Sequence, residues 1–144
     1  MIREATKHDK TQIFEMLREF RKESAIPQFQ TLENETTVDT LITSIIVGRG
    51  RVFIEDNKGL LIGLITPSVW CSRTYVLHEL AWYVRPEYRH TRLGYKLLKE
   101  YIDYGRRLKD EGRISYFTIS KMENSPNINY QRFGFTKIEE NWIQ

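Results

Sequence analysis

Residues 76–84 read VLHELAWYV, an apolar, β-branched run that ends at Pro86. Proline has no N–H to give to a strand ladder, so the extended segment stops there. Leu93, Leu97, Leu98, Tyr101, Ile102 and Leu108 then recur at helical spacing, Gly112 follows the last turn, and residues 114–119, ISYFTI, return to strand character. Two strands joined by a helix form a right-handed crossover and run parallel. This unit predicts a mixed α/β fold.

The rest of the chain can be arranged around it. Residues 2–5 read as a short first strand, and Thr6 with Asp9 resembles a helix-opening capping pair. The helix it opens runs to about Ser24 with Ile13, Leu17 and Phe20 on one face, and residues 26–34 follow as a loop. Thr36 or Thr37 caps a second helix that ends at Gly48 and Gly50. Residues 51–55 and 60–66 form a hairpin around Asp-Asn-Lys-Gly, with Gly59 expected at positive φ. Residues 124–133 predict a short helix and 135–139 a final strand.

With 144 residues, the chain fits one domain spanning 1–144 and should bury about 70% of its unfolded surface. Hydrophobic residues at 40% and charged ones at 28% argue against disorder and against a membrane span. No apolar leader follows MIREATKHDK, so the cytoplasm is the expected compartment. The lone Cys71 excludes an internal disulfide and has no metal-site neighbours, so no metal is expected. A buried structural thiol is the plainer reading of it. The net charge of +3 tolerates an anionic partner without selecting one.

The corner between strand and helix, VRPEYRHTRLGYKLL, carries the chemistry. A helix starting straight after a strand presents unpaired N–H groups and a partial positive charge, which together favour phosphate. Arg89 and Arg92 add guanidinium groups suited to a diphosphate, and Thr91 a hydroxyl. An ordinary solvated helix start accounts for the same residues equally well.

That corner resembles the acetyl-CoA loop of the GCN5-related N-acetyltransferases (GNAT), Gln/Arg-x-x-Gly-x-Gly/Ala, with Arg89 at the first position and Gly94 at the last. Arg92 stands where the family has its middle glycine, and His90 replaces another frequent one. Downstream, Tyr130-Gln131-Arg132-Phe133-Gly134-Phe135 is similar to the family's Y-E-K-L-G-F segment. The order of the two motifs also agrees, and together with M-I-R-E-A-T they cover nearly the whole chain.

The resemblance implies a GNAT fold: a mixed, mostly antiparallel sheet of six to seven strands, about four helices, and a splayed parallel strand pair that holds acyl-CoA. Backbone groups of Trp82, Tyr83 and Val84 would bond the pantetheine arm. Amides from His90, Thr91, Arg92, Leu93, Gly94 and Tyr95 would take the diphosphate with Arg89, and Asn124 would contact the arm. Tyr130 matches the family's general acid; its alternative is a core aromatic with a satisfied hydroxyl. Glu79 shares a face with Ala81 and Tyr83 if strand alternation holds, and could take the amine proton or merely pair with an arginine. His78 has the better intrinsic pKa but points to the other face. Trp70, Tyr75, Trp82, Tyr83 and Tyr88 would gather around the cleft.

The function implied is transfer of acetyl from acetyl-CoA to a primary amine by direct attack. A catalytically weak acyl-CoA-binding or regulatory module is the alternative, kept open by Arg92. The acceptor is not encoded in any motif. Nucleic acid has no recognition signature here, a charged tRNA as acceptor excepted. A homodimer is compatible with the sequence.

Overall fold

In a computed structural model that describes residues 1–144, four strands form one antiparallel sheet in chain order: β1 (Arg3–Glu4), β2 (Gly50–Glu55), β3 (Gly59–Pro67) and β4 (Tyr75–Val84). Three helices, α1 (Lys10–Glu23), α2 (Glu35–Ser44) and α3 (Leu93–Asp110), cover its two faces. Alternation along the strands sorts the core. Val52, Ile54, Leu60, Ile62, Ala81 and Tyr83 pack with α1 and α2, while Phe53, Leu61 and Leu77 pack with α3.

The capping pair is present. Thr6 Oγ1 accepts from the His8 N–H (3.3 Å) and Asp9 Oδ2 from the Thr6 N–H (2.7 Å), over a short 3₁₀ turn that leads into α1. Asp9 is buried, and the guanidinium of Arg3 grips both its oxygens at 2.9 and 2.7 Å. Those two bonds hold the Asp9 carboxyl well below the usual carboxylate range and fasten β1 to the start of α1. The cap of α2 lies earlier than expected: Asn34 Oδ1 accepts from the Thr37 N–H at 3.0 Å. In the β2–β3 turn it is Asn57, at φ 59°, that takes the left-handed conformation rather than Gly59. Asparagine tolerates that region, and its N–H is fixed by Gln12 Oε1 at 2.8 Å.

The expected six to seven strands and four helices are corrected to four and three. Residues 114–119 run parallel to β4, as the crossover required, but meet it only at a bridge between Leu77 and Phe117. Three backbone bonds make the join: Ser115 N–H to Tyr75 C=O (2.8 Å), Leu77 N–H to Tyr116 C=O (3.2 Å) and Thr118 N–H to Leu77 C=O (2.9 Å). Past Thr118 the two segments share no backbone bond. Residues 124–133 supply only a 3₁₀ turn at Tyr130–Phe133. Pro126 and the asparagines around it explain this, since Asn129 Oδ1 competes for backbone by accepting from the Arg132 N–H. Residues 135–139 join no ladder.

The glycine inside α3 has a packing reason. A Cβ on Gly105 would lie 2.6 Å from the Phe117 ring, so α3 and the 114–118 segment touch directly there. Phe117 in turn packs edge-on against Tyr101 and Phe135. Gly105→Ala should therefore push Phe117 out and cost about 1–3 kcal/mol by overpacking, less what alanine returns in helix propensity. Denaturant unfolding checks this, and a stability equal to the parent's would contradict the contact.

Candidate active site

Pairing in the β3–β4 ladder passes from Ile62 opposite Ala81 to Gly63 opposite Glu79, so Leu80 is an extra residue in β4. Such a bulge reverses the faces of the side chains on either side of it. Ala81 and Tyr83 face α1 and α2, whereas Glu79 lies with Leu77 on the α3 face. The expectation that Glu79 shares a face with Ala81 and Tyr83 is thus overturned by one inserted residue. His78 does point away from Glu79, and its Nδ1 meets Thr118 Oγ1 at 2.9 Å.

Glu79 keeps some accessible surface but is surrounded by protein. That burial pushes its carboxyl up to about 8, against a smaller lowering pull from the Ser120 backbone N–H. The same carboxylate lies close enough to raise two phenols by its charge. Tyr101 is raised mainly by burial and then by Glu79, and its hydroxyl donates to the Thr118 carbonyl. Tyr130, on the 3₁₀ turn, is raised by the same two causes in the same order. The fold therefore brings Glu79 and Tyr130 to one locus, where residues 118–120 leave β4. Tyr130's ring stands edge-on to Phe135 at 6.5 Å.

From Glu79 to Val84, the side of β4 away from β3 has no strand partner, since β4 is the sheet edge and backbone bonding to the parallel segment ends at Leu77. This edge leads to the start of α3. Leu93 is buried and its N–H is taken by Thr91 Oγ1 at 3.2 Å, while the Lys96 N–H reaches Arg92 C=O; the N–H groups of Gly94 and Tyr95 have no helical acceptor. A Cβ on Gly94 would make ordinary contacts of 3.8 Å to Trp82 and 3.9 Å to Val84. The chain's own packing thus does not demand glycine at this position. Arg92 caps the helix at φ −87° and ψ 9°, a conformation open to any residue, so the loop forms without the glycine that Arg92 replaces.

The remaining expected contacts divide. His90, Thr91, Arg92 and Tyr95 are exposed around the helix start. Arg89 bonds within the chain, to Val84 C=O and Glu23, and Asn124 Nδ2 donates to the Glu23 carbonyl at 2.7 Å. Trp82 and Val84 lie on the α3 face, but Tyr83 is buried on the other, its hydroxyl donating to Glu19 at 3.2 Å. Trp70 is exposed on the loop before β4 and Tyr88 lies under Lys58, so no single aromatic wall forms. Cys71 is exposed, contrary to the buried reading. A hollow of about 420 Å³ beside α2, among Thr36, Thr37, Thr40 and Arg49, includes none of the expected residues. No group of three or more His, Cys, Asp or Glu gathers as a metal site, and no helix is long and apolar enough to cross a membrane.

The unpaired edge of β4 thus opens onto a helix start at which the Gly94 and Tyr95 amides lack helical acceptors. The chain belongs to the acetyltransferase (GNAT) family, whose model matches residues 5–135. Solved structures agree at the level of fold. An acetyltransferase from Trypanosoma brucei is 17% identical with a TM-score of 0.66, covering 100% of this chain and 97% of its own. An aminoglycoside acetyltransferase from an uncultured soil metagenomic sample is 11% identical with a TM-score of 0.64, covering 100% and 92%. A ribosomal-protein-alanine N-acetyltransferase from Brucella melitensis biovar Abortus 2308 is also 11% identical with a TM-score of 0.64, covering 100% and 96%. No curated protein matches the chain.

Proposed function

We propose that the protein transfers acetyl from acetyl-CoA to a primary amine by direct attack. The observation that carries this reading is the unpartnered β4 edge, which runs from the Glu79–Tyr130 locus to the free amides of Gly94 and Tyr95. An extended arm with an anion at its far end matches both features, because strand edges bond extended chains and helix starts bond phosphates. Backbone groups of β4 between Glu79 and Val84 would bond the arm. The amides of residues 90–95 would take the diphosphate, with Arg89 and Arg92 adding charge and Asn124 standing beside the opening.

Acetyl-CoA supplies a thioester whose carbonyl accepts the amine. As the C–N bond forms and the C–S bond breaks, Tyr130 gives its phenolic proton to the departing sulfur, and Glu79 takes a proton from the amine directly or through water. Return of a proton from the Glu79 carboxyl to the Tyr130 phenolate by way of water then restores both groups. Hydrogen-bond donors on the β4 edge would meet the charge that develops on the carbonyl oxygen. Structures similar in fold include an aminoglycoside acetyltransferase and a ribosomal-protein-alanine N-acetyltransferase. Neither class is favoured here by a residue of the acceptor side.

Thermal melting with and without acetyl-CoA tests the reading. At a hundred times its dissociation constant the ligand should add about 2.7 kcal/mol, a rise of several degrees for a domain of this size. No rise with acetyl-CoA or CoA would sink it. A rise without thiol release across a panel of amines would instead favour an acyl-CoA-binding module.

A further inference from the structure

Arg89 has its bonds inside the chain. Its Nε donates to the Val84 carbonyl at 2.8 Å, its Nη2 meets Glu23 Oε2 at 2.5 Å, and its guanidinium carbon lies 5.5 Å from the centre of the Tyr83 ring. Glu23 is the last residue of α1, and its backbone carbonyl accepts from Asn124. One residue thus ties α1 to both lips of the opening: to the loop after β4 through Arg89, and to the chain beyond the splay through Asn124.

Arg85, four residues earlier, shows what a fixed strut looks like here. Its side chain is 20% exposed and is gripped by Glu19 through two nitrogens, by the Asn57 carbonyl at 3.0 Å and by Glu15 at 3.6 Å. The Arg89–Glu23 pair differs. Both side chains are about half exposed (47% and 45%), one nitrogen makes the contact, and Nη1 has no partner. An exposed, single-contact pair of this kind is weak, whereas a diphosphate offers a guanidinium two charge-assisted bonds.

We propose that Glu23 is a positioning residue for the cofactor. It holds Arg89 at the end of β4 in the free protein and competes with the diphosphate of acetyl-CoA for the guanidinium. On binding, Nη2 passes from carboxylate to phosphate and the unpartnered Nη1 joins it, while Nε keeps the Val84 carbonyl, so Arg89 pivots and the loop keeps its anchor. The inference rests on the acetyl-CoA reading given above.

Calorimetric titration of acetyl-CoA and of S-acetyl-pantetheine, which lacks the diphosphate, tests it in the wild type, Glu23→Gln, Arg89→Ala and the double variant. Glu23→Gln should tighten acetyl-CoA by about two- to five-fold and leave S-acetyl-pantetheine unchanged. In the Arg89→Ala background the same change should have no effect, which separates competition for Arg89 from a general gain of positive charge. Unchanged or weaker acetyl-CoA binding in Glu23→Gln overturns the proposal, as does equal tightening with and without Arg89. Absence of acetyl-CoA binding to the wild type overturns the reading of the site instead, and this inference with it. Circular dichroism melts check that each variant folds.

Discussion

Tyr130→Phe should lower the rate of acetyl transfer by at least about 100-fold while leaving the affinity for acetyl-CoA within twofold of the parent's. The change removes one oxygen and keeps the ring, so the edge-on contact with Phe135 that seats the 3₁₀ turn survives. What disappears is the proton available to the leaving sulfur. A thiolate whose conjugate acid ionises near 8.5 departs more easily when a phenol supplies a proton as charge builds on it. Burial holds the Tyr130 phenol in its protonated form across the neutral range, and the Glu79 charge adds to this once that carboxyl has ionised. The measurement is initial thiol release at saturating amine, beside calorimetric titration of acetyl-CoA. Equal rates in the two proteins would remove Tyr130 from the acid role, and a matching loss in affinity would make it a packing residue.

Much of this was legible in the sequence because the features concerned are local. The helix α3 follows from a six-residue apolar stripe and Gly112, and the parallel crossover from strand, helix and strand in succession. The Thr6–Asp9 cap needed only two residues three apart. What could not be read depends on contacts between distant segments. A bulge leaves no mark in VLHELAWYV, since Leu80 is as strand-like as its neighbours, yet it decides which face Glu79 occupies. The fate of Arg89 turns on Glu23, 66 residues away. Gly105 did carry a signal, an isolated glycine inside a helical stripe, but only the position of Phe117 gives it meaning. Residues 114–119 have strand composition, and their ladder stops after a single bridge because the path leaves β4 beyond Thr118.

Glu79→Gln should flatten the dependence of stability on pH and remove the acid limb of the activity profile. Burial lifts the Glu79 carboxyl from its ordinary 4.5 to about 8 in the folded protein. Between those values the unfolded chain has lost a proton that the folded chain keeps, so the folded state binds more protons and stability falls as pH rises. The penalty is absent below pH 4.5, grows through the window, and is complete above pH 8, with an upper bound of roughly 4–5 kcal/mol. Glutamine is neutral throughout and of nearly the same shape, so its unfolding free energy should lack this slope, and the variant should be the more stable protein at pH 9. Activity should move the other way. A base must be unprotonated to act, so acetyl transfer by the parent should rise with pH to a plateau above about 8, and that rise should be missing from the much slower variant. Urea unfolding at pH 5, 7 and 9, with rates measured over the same range, checks both halves. A parallel pair of stability curves would mean that Glu79 titrates normally in the fold. A retained limb near 8 in the variant would assign the proton to a group other than Glu79.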